Sequence, residues 1–295
     1  MMDLRSLRYF VTVAEELNIT RAAEKLHMSQ PPLSAQIKGL EEELETELFI
    51  RGKRRLRLTE SGQMLYRRAK EILSLSENTE ADIRSMGKGM KGTIYIGLVE
   101  GMAPDIAAEW FAGFIGKYPD IRFRILDGST DDLLEKMRSG LIDLAVITSP
   151  CDNSLLYSFH VGEEKMGALM NRSHPLAASE GDEIDIYELA GENLIVPSRK
   201  ALIETIYKWF RNTGTEPKIV CEMDSYLDAA ALAGRMVGIS IYPRTAYIPN
   251  ESLMFKEIKG KDKKMEYLFV WQKGHPLPRI EEEFIDFVKG CVAAD

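Results

Sequence analysis

Five of the seven residues from Arg51 to Arg57 are basic. Shortly before them, Gln30, Ser34 and Lys38 recur every four residues, a spacing that shares one helix face. Polar side chains on a helix can read base edges, and a basic run can neutralise phosphates. An isolated charge run is usually a solvated turn, but the helical pattern directly before this one favours phosphate. Enzyme chemistry finds less support. His27, His160, His174 and His275 have no metal-ligand spacing among themselves or with Cys151, Cys221 and Cys291. No nucleophile elbow, phosphate loop or dinucleotide fingerprint occurs, and Gly234 to Gly238 is too short and too late to supply one. His174 and His275 each precede Pro-Leu and read as turn residues. No catalytic residue, metal site or cofactor is therefore expected. Cys221 falls in an expected buried strand, where packing suits it better than a redox switch.

The elements that must hold the polar face are helical. Leu7, Phe10, Val11, Ala14 and Leu17 make one face of a first helix over about 4–17. Thr20 is the expected cap of a short second helix through Leu26. Ser29 is the expected cap of a third, with Pro31 and Pro32 in its first turn, where a missing N–H costs nothing. Leu33, Ile37, Leu40 and Leu44 form its apolar stripe, leaving Gln30, Ser34, Lys38 and Glu41 on another side. Two short strands around a turn at Gly52 follow. Together these predict a winged helix-turn-helix over 1–58, all-α apart from its β wing.

A long helix from Thr59 to about Met86 carries Leu65, Ala69, Ile72, Ser76, Thr79, Ile83 and Met86 at alternating four-and-three spacing. That is the seam of a dimerising helix; packing on its own domain is the alternative. Gly87, Gly89 and Gly92 mark a hinge, closing a linker segment over 59–92. From 93 to 295 strands alternate with helices, which predicts an α/β domain of two lobes: about 93–162 with 268–295, and about 163–267. Strands Lys165 to Met170 and Met265 to Trp271 are the expected crossings. Small ligands favour such a cleft. Its mouth nominates Glu100, Gly101, Ser129, Thr130, Thr148, Ser198 and Arg199. Free N–H groups are expected at the helix starts after Glu100 and at Thr130. Ser129 and Thr130 are equally suited to capping the helix at Asp131.

At 295 residues the chain suits about two domains. The net charge of −8 argues against nucleic acid only as an average. Residues 1–92 hold 16 of the 38 Lys and Arg and 14 of the 46 Asp and Glu, so the first segment is slightly basic and the remainder acidic. Such asymmetry points to a nucleic-acid-facing module on an acidic body. No stretch approaches the ~18 apolar residues of a membrane span. Met1 to Phe10 lacks an apolar signal core, which opposes a secreted solute-binding protein and favours a reducing cytoplasm.

The N-terminal words are specific. Leu7-Arg8-Tyr9-Phe10-Val11, Thr20-Arg21-Ala22-Ala23, Leu26-His27-Met28-Ser29-Gln30-Pro31, Leu33-Ser34-Ala35-Gln36-Ile37, Leu40-Glu41, Leu48-Phe49, Arg57-Leu58-Thr59 and Gly62 follow in the order and spacing of the LysR-type transcriptional regulators. The chain resembles that family throughout, with Ser139-Gly140 and Asp143-Leu144-Ala145-Val146 as the recognisable words downstream. The resemblance implies a periplasmic-binding-protein-like effector domain and a regulator that binds an interrupted inverted repeat. It implies a dimer through the linker helix, further assembly to a tetramer, and RNA polymerase as a partner if it activates. Gln30, Pro31, Ser34 and Lys38 would face the major groove. Thr20, Arg21 and Ser29 would meet phosphate at helix starts, and Lys53, Arg54 and Arg55 would do so on the wing. Ala35 departs from the arginine often found there, removing a donor that reads guanine. Glu100 departs from the serine or threonine that commonly holds an anionic effector. Glu100 caps the helix at Pro104, or turns away to pair with a base, or meets a positive or hydrogen-donating group of the effector while Arg199 holds the effector's acidic end.

Overall fold

A computed structural model describes residues 2–51, 56–85, 91–152, 154–245 and 251–293. The chain divides into two compact units, residues 1–87 and 88–295.

In the first unit, helices α1 (Leu4–Glu16), α2 (Ile19–Lys25) and α3 (Gln30–Glu43) precede strands β1 (Phe49–Arg51) and β2 (Leu56–Leu58) and helix α4 (Glu60–Ser85). Leu7, Phe10 and Val13 of α1 pack with Leu33, Ile37 and Leu40 of α3, and the Phe10 and Phe49 rings lie 5.4 Å apart. His27 takes a positive φ of 53° and turns the chain from α2 into α3. β1 and β2 pair antiparallel, Phe49 opposite Leu58, as the wing requires. Three local readings of the sequence are corrected. Asn18, not Thr20, caps α2, its side chain accepting from the N–H groups of Thr20 and Arg21 at 2.9 and 3.1 Å. Glu41 is not a free surface group, because its carboxylate accepts from the N–H groups of Leu48 and Phe49 and ties α3 to the wing. Leu44 ends α3 with 36% of its surface exposed instead of continuing its buried stripe.

The helix α4 divides along its length. Ala69 is fully buried, and Leu65 and Leu73 pack on the core of the same unit. Leu65 and Ala69 are therefore spent on their own domain, which corrects the first half of the expected seam. Beyond them Ile72, Leu75 and Ile83 are exposed at 40, 42 and 62%. Met86, Gly87 and Gly89 lie outside the described residues.

The second unit contains β3 (Gly92–Leu98), α5 (Ala103–Lys117), β4 (Ile121–Asp127), α6 (Thr130–Arg138), β5 (Leu144–Thr148), β6 (Leu156–Asn171), β7 (Glu183–Ile184), β8 (Asn193–Val196), α7 (Lys200–Arg211), β9 (Lys218–Glu222), α8 (Tyr226–Gly234), β10 (Ile239–Pro243), β11 (Leu253–Ile258), β12 (Lys264–Gln272) and α9 (Arg279–Val292). One sheet runs in the order β4-β3-β5-β12-β6-β10-β8-β9, with β11 pairing β6 and β7 pairing β11. Parallel β3, β4 and β5 build the first lobe, and parallel β8, β9 and β10 the second. β6 serves both. Its first ten residues pair with β12 and its last six lie between β10 and β11. Among the described residues β12 pairs only with β5 and β6, so it returns the chain to the first lobe. In that lobe Phe114 and Phe123 of α5 and β4 meet Phe284 of α9 at 4.9 and 5.1 Å, fastening the C-terminal helix. β9 is an edge strand with Cys221 only half-buried, not the buried strand its composition predicts.

Candidate functional site

The first candidate surface belongs to α3. Leu33, Ile37 and Leu40 are buried at 0 to 3% exposure, which turns Gln30, Pro31 and Lys38 outward and leaves Ser34 half-exposed. Ser29 stands at the cap position but its hydroxyl makes no capping bond. Lys38 forms a surface ion pair with Glu42 at 3.2 Å, which water and phosphate easily replace. Thr20 and Arg21 are exposed, with their N–H groups already held by Asn18. Only their side chains remain for an outside partner. Lys53, Arg54 and Arg55 lie outside the described residues.

The second candidate is a cavity of about 170 Å³ between the lobes of the second unit. It collects the loop after β3, the start of α6, the end of β5, the start of α7, the start of α8 and the end of β10. Six expected residues line it: Glu100, Gly101, Ser129, Thr130, Thr148 and Arg199. Ser198 does not; its hydroxyl turns to the Asp224 carboxylate. Thr130 and Thr148 are buried and their hydroxyls meet at 3.0 Å, joining the start of α6 to the end of β5. Ser129 and Asp132 form a reciprocal cap of α6. The free donor expected after Glu100 is also engaged, since the Met102 N–H donates to the Tyr267 hydroxyl at 3.3 Å. Burial raises that hydroxyl's pKa to about 12, so it stays protonated. Gly101 has a φ of +108°, and a Cβ there would stand 2.8 Å from the same hydroxyl. Glycine is required.

Two charged groups cross the cleft. Glu100 accepts a hydrogen bond from the Tyr226 N–H at 2.8 Å. It therefore joins the first turn of α8 in the second lobe, not the helix at Pro104, where its charge complements the helix dipole. Arg199, in the opposite direction, donates to the Thr148 carbonyl at 3.2 Å and to the Pro150 carbonyl. Its Nε stands 3.5 Å from the Asp131 carboxylate. The two terminal nitrogens of the guanidinium thus serve the protein, while its buried Nε has no hydrogen-bond partner among the described residues. Nearby, burial pushes the Cys151 thiol pKa up, which disfavours the reactive thiolate. Sequence reasoning missed Asp132, Asp224, Tyr226, Tyr242 and Met265 as lining residues. Asp224 and Tyr226 follow the end of parallel strand β9 and Tyr242 lies at the end of parallel β10, as Glu100 follows β3 in the first lobe. Asp132 in α6 and Met265 in antiparallel β12 carry no such signal.

Residues 4–63 match the model for the bacterial regulatory helix-turn-helix protein, lysR family, and residues 87–291 match the LysR substrate binding domain. The chain belongs to the LysR family. LysR regulators control transcription through a DNA-binding helix-turn-helix and an effector-binding domain, and this chain carries both. It is 31% identical to the Hca operon transcriptional activator HcaR of Escherichia coli (strain K12), over 99% of each chain. It is likewise 31% identical to the HTH-type transcriptional regulator BsdA of Bacillus subtilis (strain 168), over 97% of this chain and 99% of the relative. Among solved structures, the LysR regulator CbnR superposes with a TM-score of 0.78 at 23% identity over 99% of each chain. The same regulator has been solved full-length with its target DNA, and that chain gives a TM-score of 0.76. Among the described residues no helix is long and apolar enough to cross a membrane.

Proposed function

We propose that this LysR regulator binds an interrupted inverted repeat as a dimer, reading bases with Gln30, Pro31, Ser34 and Lys38. Thr20, Arg21 and Ser29 approach phosphates at the helix starts, and Lys53, Arg54 and Arg55 do so from the wing. The observation that carries this reading is the division of α3 into a buried apolar stripe and an outward polar face. Dimerisation runs through α4 by way of Ile72, Leu75 and Ile83, which their own domain leaves uncovered. Assembly to a tetramer, contact with RNA polymerase if the regulator activates, and residence in the cytoplasm complete the proposal. The functional segments are a DNA-binding part over 1–58, a linker over 59–92 and an effector domain over 93–295.

In the effector domain, a small molecule enters the cavity between the lobes and favours one arrangement of the lobes over another. Such a molecule shifts the equilibrium only by its difference in affinity for the two. Support comes from Glu100 and Arg199, which already hold the lobes together. A ligand that touches either residue acts directly on closure.

Binding isotherms on matched and mismatched operators at several salt concentrations test the DNA reading. Gln30→Ala or Ser34→Ala should lower discrimination at one base position by about 1–3 kcal/mol per lost contact. Arg54→Ala or Arg55→Ala should weaken every sequence alike and flatten the salt dependence. If the two classes behave identically, the assignment of reading and anchoring roles fails.

A further inference from the structure

The cavity between the lobes is charged in one direction. Glu100, Asp132 and Asp224 line it, against Arg199 as the one lining cation among the described residues. Arg199 is 8% exposed and its two terminal nitrogens already serve Thr148 and Pro150. Each of the three carboxylates uses one oxygen within the protein: Glu100 on the Tyr226 N–H, Asp132 on Ser129, Asp224 on Ser198. Their second oxygens have no hydrogen-bond partner among the described residues. Helix starts, which ordinarily welcome anions, are poor anion sites here. α6 carries Asp131 and Asp132 in its first turn, and the first N–H of α8 is taken by Glu100.

The rest of the lining fits a different visitor. Val99, Leu202 and Met265 supply apolar walls. Tyr226 and Tyr242 line the same cavity with ring centroids 6.0 Å apart, and aromatic faces attract organic cations. Tyr242 is held far above the usual phenol range, first by burial and then by the nearby charges of Asp224 and Glu100. Those two carboxylates therefore act on one spot beside an aromatic ring.

Resting on the reading of this cavity as the effector site, we propose that it takes a small organic cation. The ligand is an ammonium or amidinium group on a compact apolar body, with its charge between Glu100 and Asp224 and its body against Tyr226, Tyr242 and Met265. Among the described lining residues an added carboxylate could meet only Arg199, whose two terminal nitrogens already serve carbonyls. An anion of the same size would instead face three like charges, which are exposed and therefore repel it only through solvent-screened fields.

Matched pairs of probes test this with the full chain: phenethylamine against 3-phenylpropanoate, tryptamine against indole-3-propanoate, and 3-methylbutylamine against 4-methylpentanoate. In calorimetry at least one amine should bind and its carboxylate partner should not. Glu100→Gln and Asp224→Asn should each weaken that amine by about ten- to hundredfold, the range for losing a charged hydrogen bond. Thermal melting of both variants checks their folding, and Asp224→Asn leaves the cross-lobe bond of Glu100 intact. Failure of every amine, or amine binding that neither variant weakens, overturns the proposal. Carboxylate binding that Thr130→Val abolishes rejects the cation but keeps the cavity as the effector site. Amine binding that no lining substitution alters rejects the cavity reading as well.

Discussion

Replacing Arg199 with alanine should loosen the two lobes by a measurable amount. The guanidinium is nearly buried and spans from the start of α7 to the carbonyl of Thr148, the last residue of β5, and to that of Pro150 just beyond it. A hydrogen bond from a charged donor contributes about 1.5–3 kcal/mol, so the two bonds amount to roughly 3–6 kcal/mol before any offset. Asp131 adds little, because its carboxylate is 69% exposed at 3.5 Å and solvent screens the pair. The offset is considerable: a buried guanidinium has given up several kcal/mol of hydration, which its removal restores. A net loss of about 1–3 kcal/mol remains, or roughly 2–12 °C for a unit of this size. Differential scanning calorimetry of the full chain gives the shift, and amide exchange at Tyr226 reports whether the Glu100 bond opens more often. Because both residues fasten the same pair of lobes, Arg199→Ala and Glu100→Gln should be non-additive in a double-mutant cycle. An unchanged melting temperature with strict additivity would refute the cross-lobe clamp.

Gly62→Ala should destabilise the first unit by about 1–3 kcal/mol, the usual cost of overpacking, read as a lower first transition. Its Cβ would stand 2.1 Å from the Leu48 carbonyl oxygen, which is itself fixed by the Thr59 N–H. Ile72→Glu with Ile83→Glu should split the proposed α4 dimer of residues 1–90 in sedimentation without lowering that transition, since both residues are exposed. Glu257 bonds Lys165 and Arg244, and the Lys165 bond first of all holds its pKa below the ordinary 4.5. Its contribution is present above pH 4.5 and is lost as pH falls through the lowered value. The melting difference between wild type and Glu257→Gln should therefore vanish in acid; a difference that grows in acid would contradict this.

The helix-turn-helix and the parallel strands were legible because their apolar residues keep the period of the element. Leu33, Ile37 and Leu40 mark a buried helix stripe, and Leu144 to Thr148 is buried without interruption. Phe284, Ile285 and Val288 carried the same signal for α9, although the sequence reading stopped short of it. The first ten residues of β6 could not be read so, because Glu163, Glu164 and Lys165 break any alternation and only pairing with β12 makes them a strand. Six of seven cavity residues followed from the rule that ligands gather at strand ends. Their partners did not follow, since Glu100 meets Tyr226 across 126 residues and Arg199 meets Thr148 across 51. Local capping failed for a smaller reason. Asn18 and Thr20 both offer an oxygen near the start of α2, and Asn18 reaches both N–H groups.

The divided character of α4 gives it a mechanical consequence. At 1.5 Å per residue its 26 residues extend about 39 Å without a break. Its early turns are cemented to α1 through Ala69 and Leu65, so the bar and the reading helix move as one piece. In the proposed dimer, the later turns would join two such pieces end to end with no joint between grip and tip. The gap between the two reading heads would then be a fixed gauge, and an operator would be accepted or refused by the spacing of its halves as much as by their letters. Lengthening that bar by a whole number of turns should move the accepted spacing in step, with every base-contacting side chain left untouched.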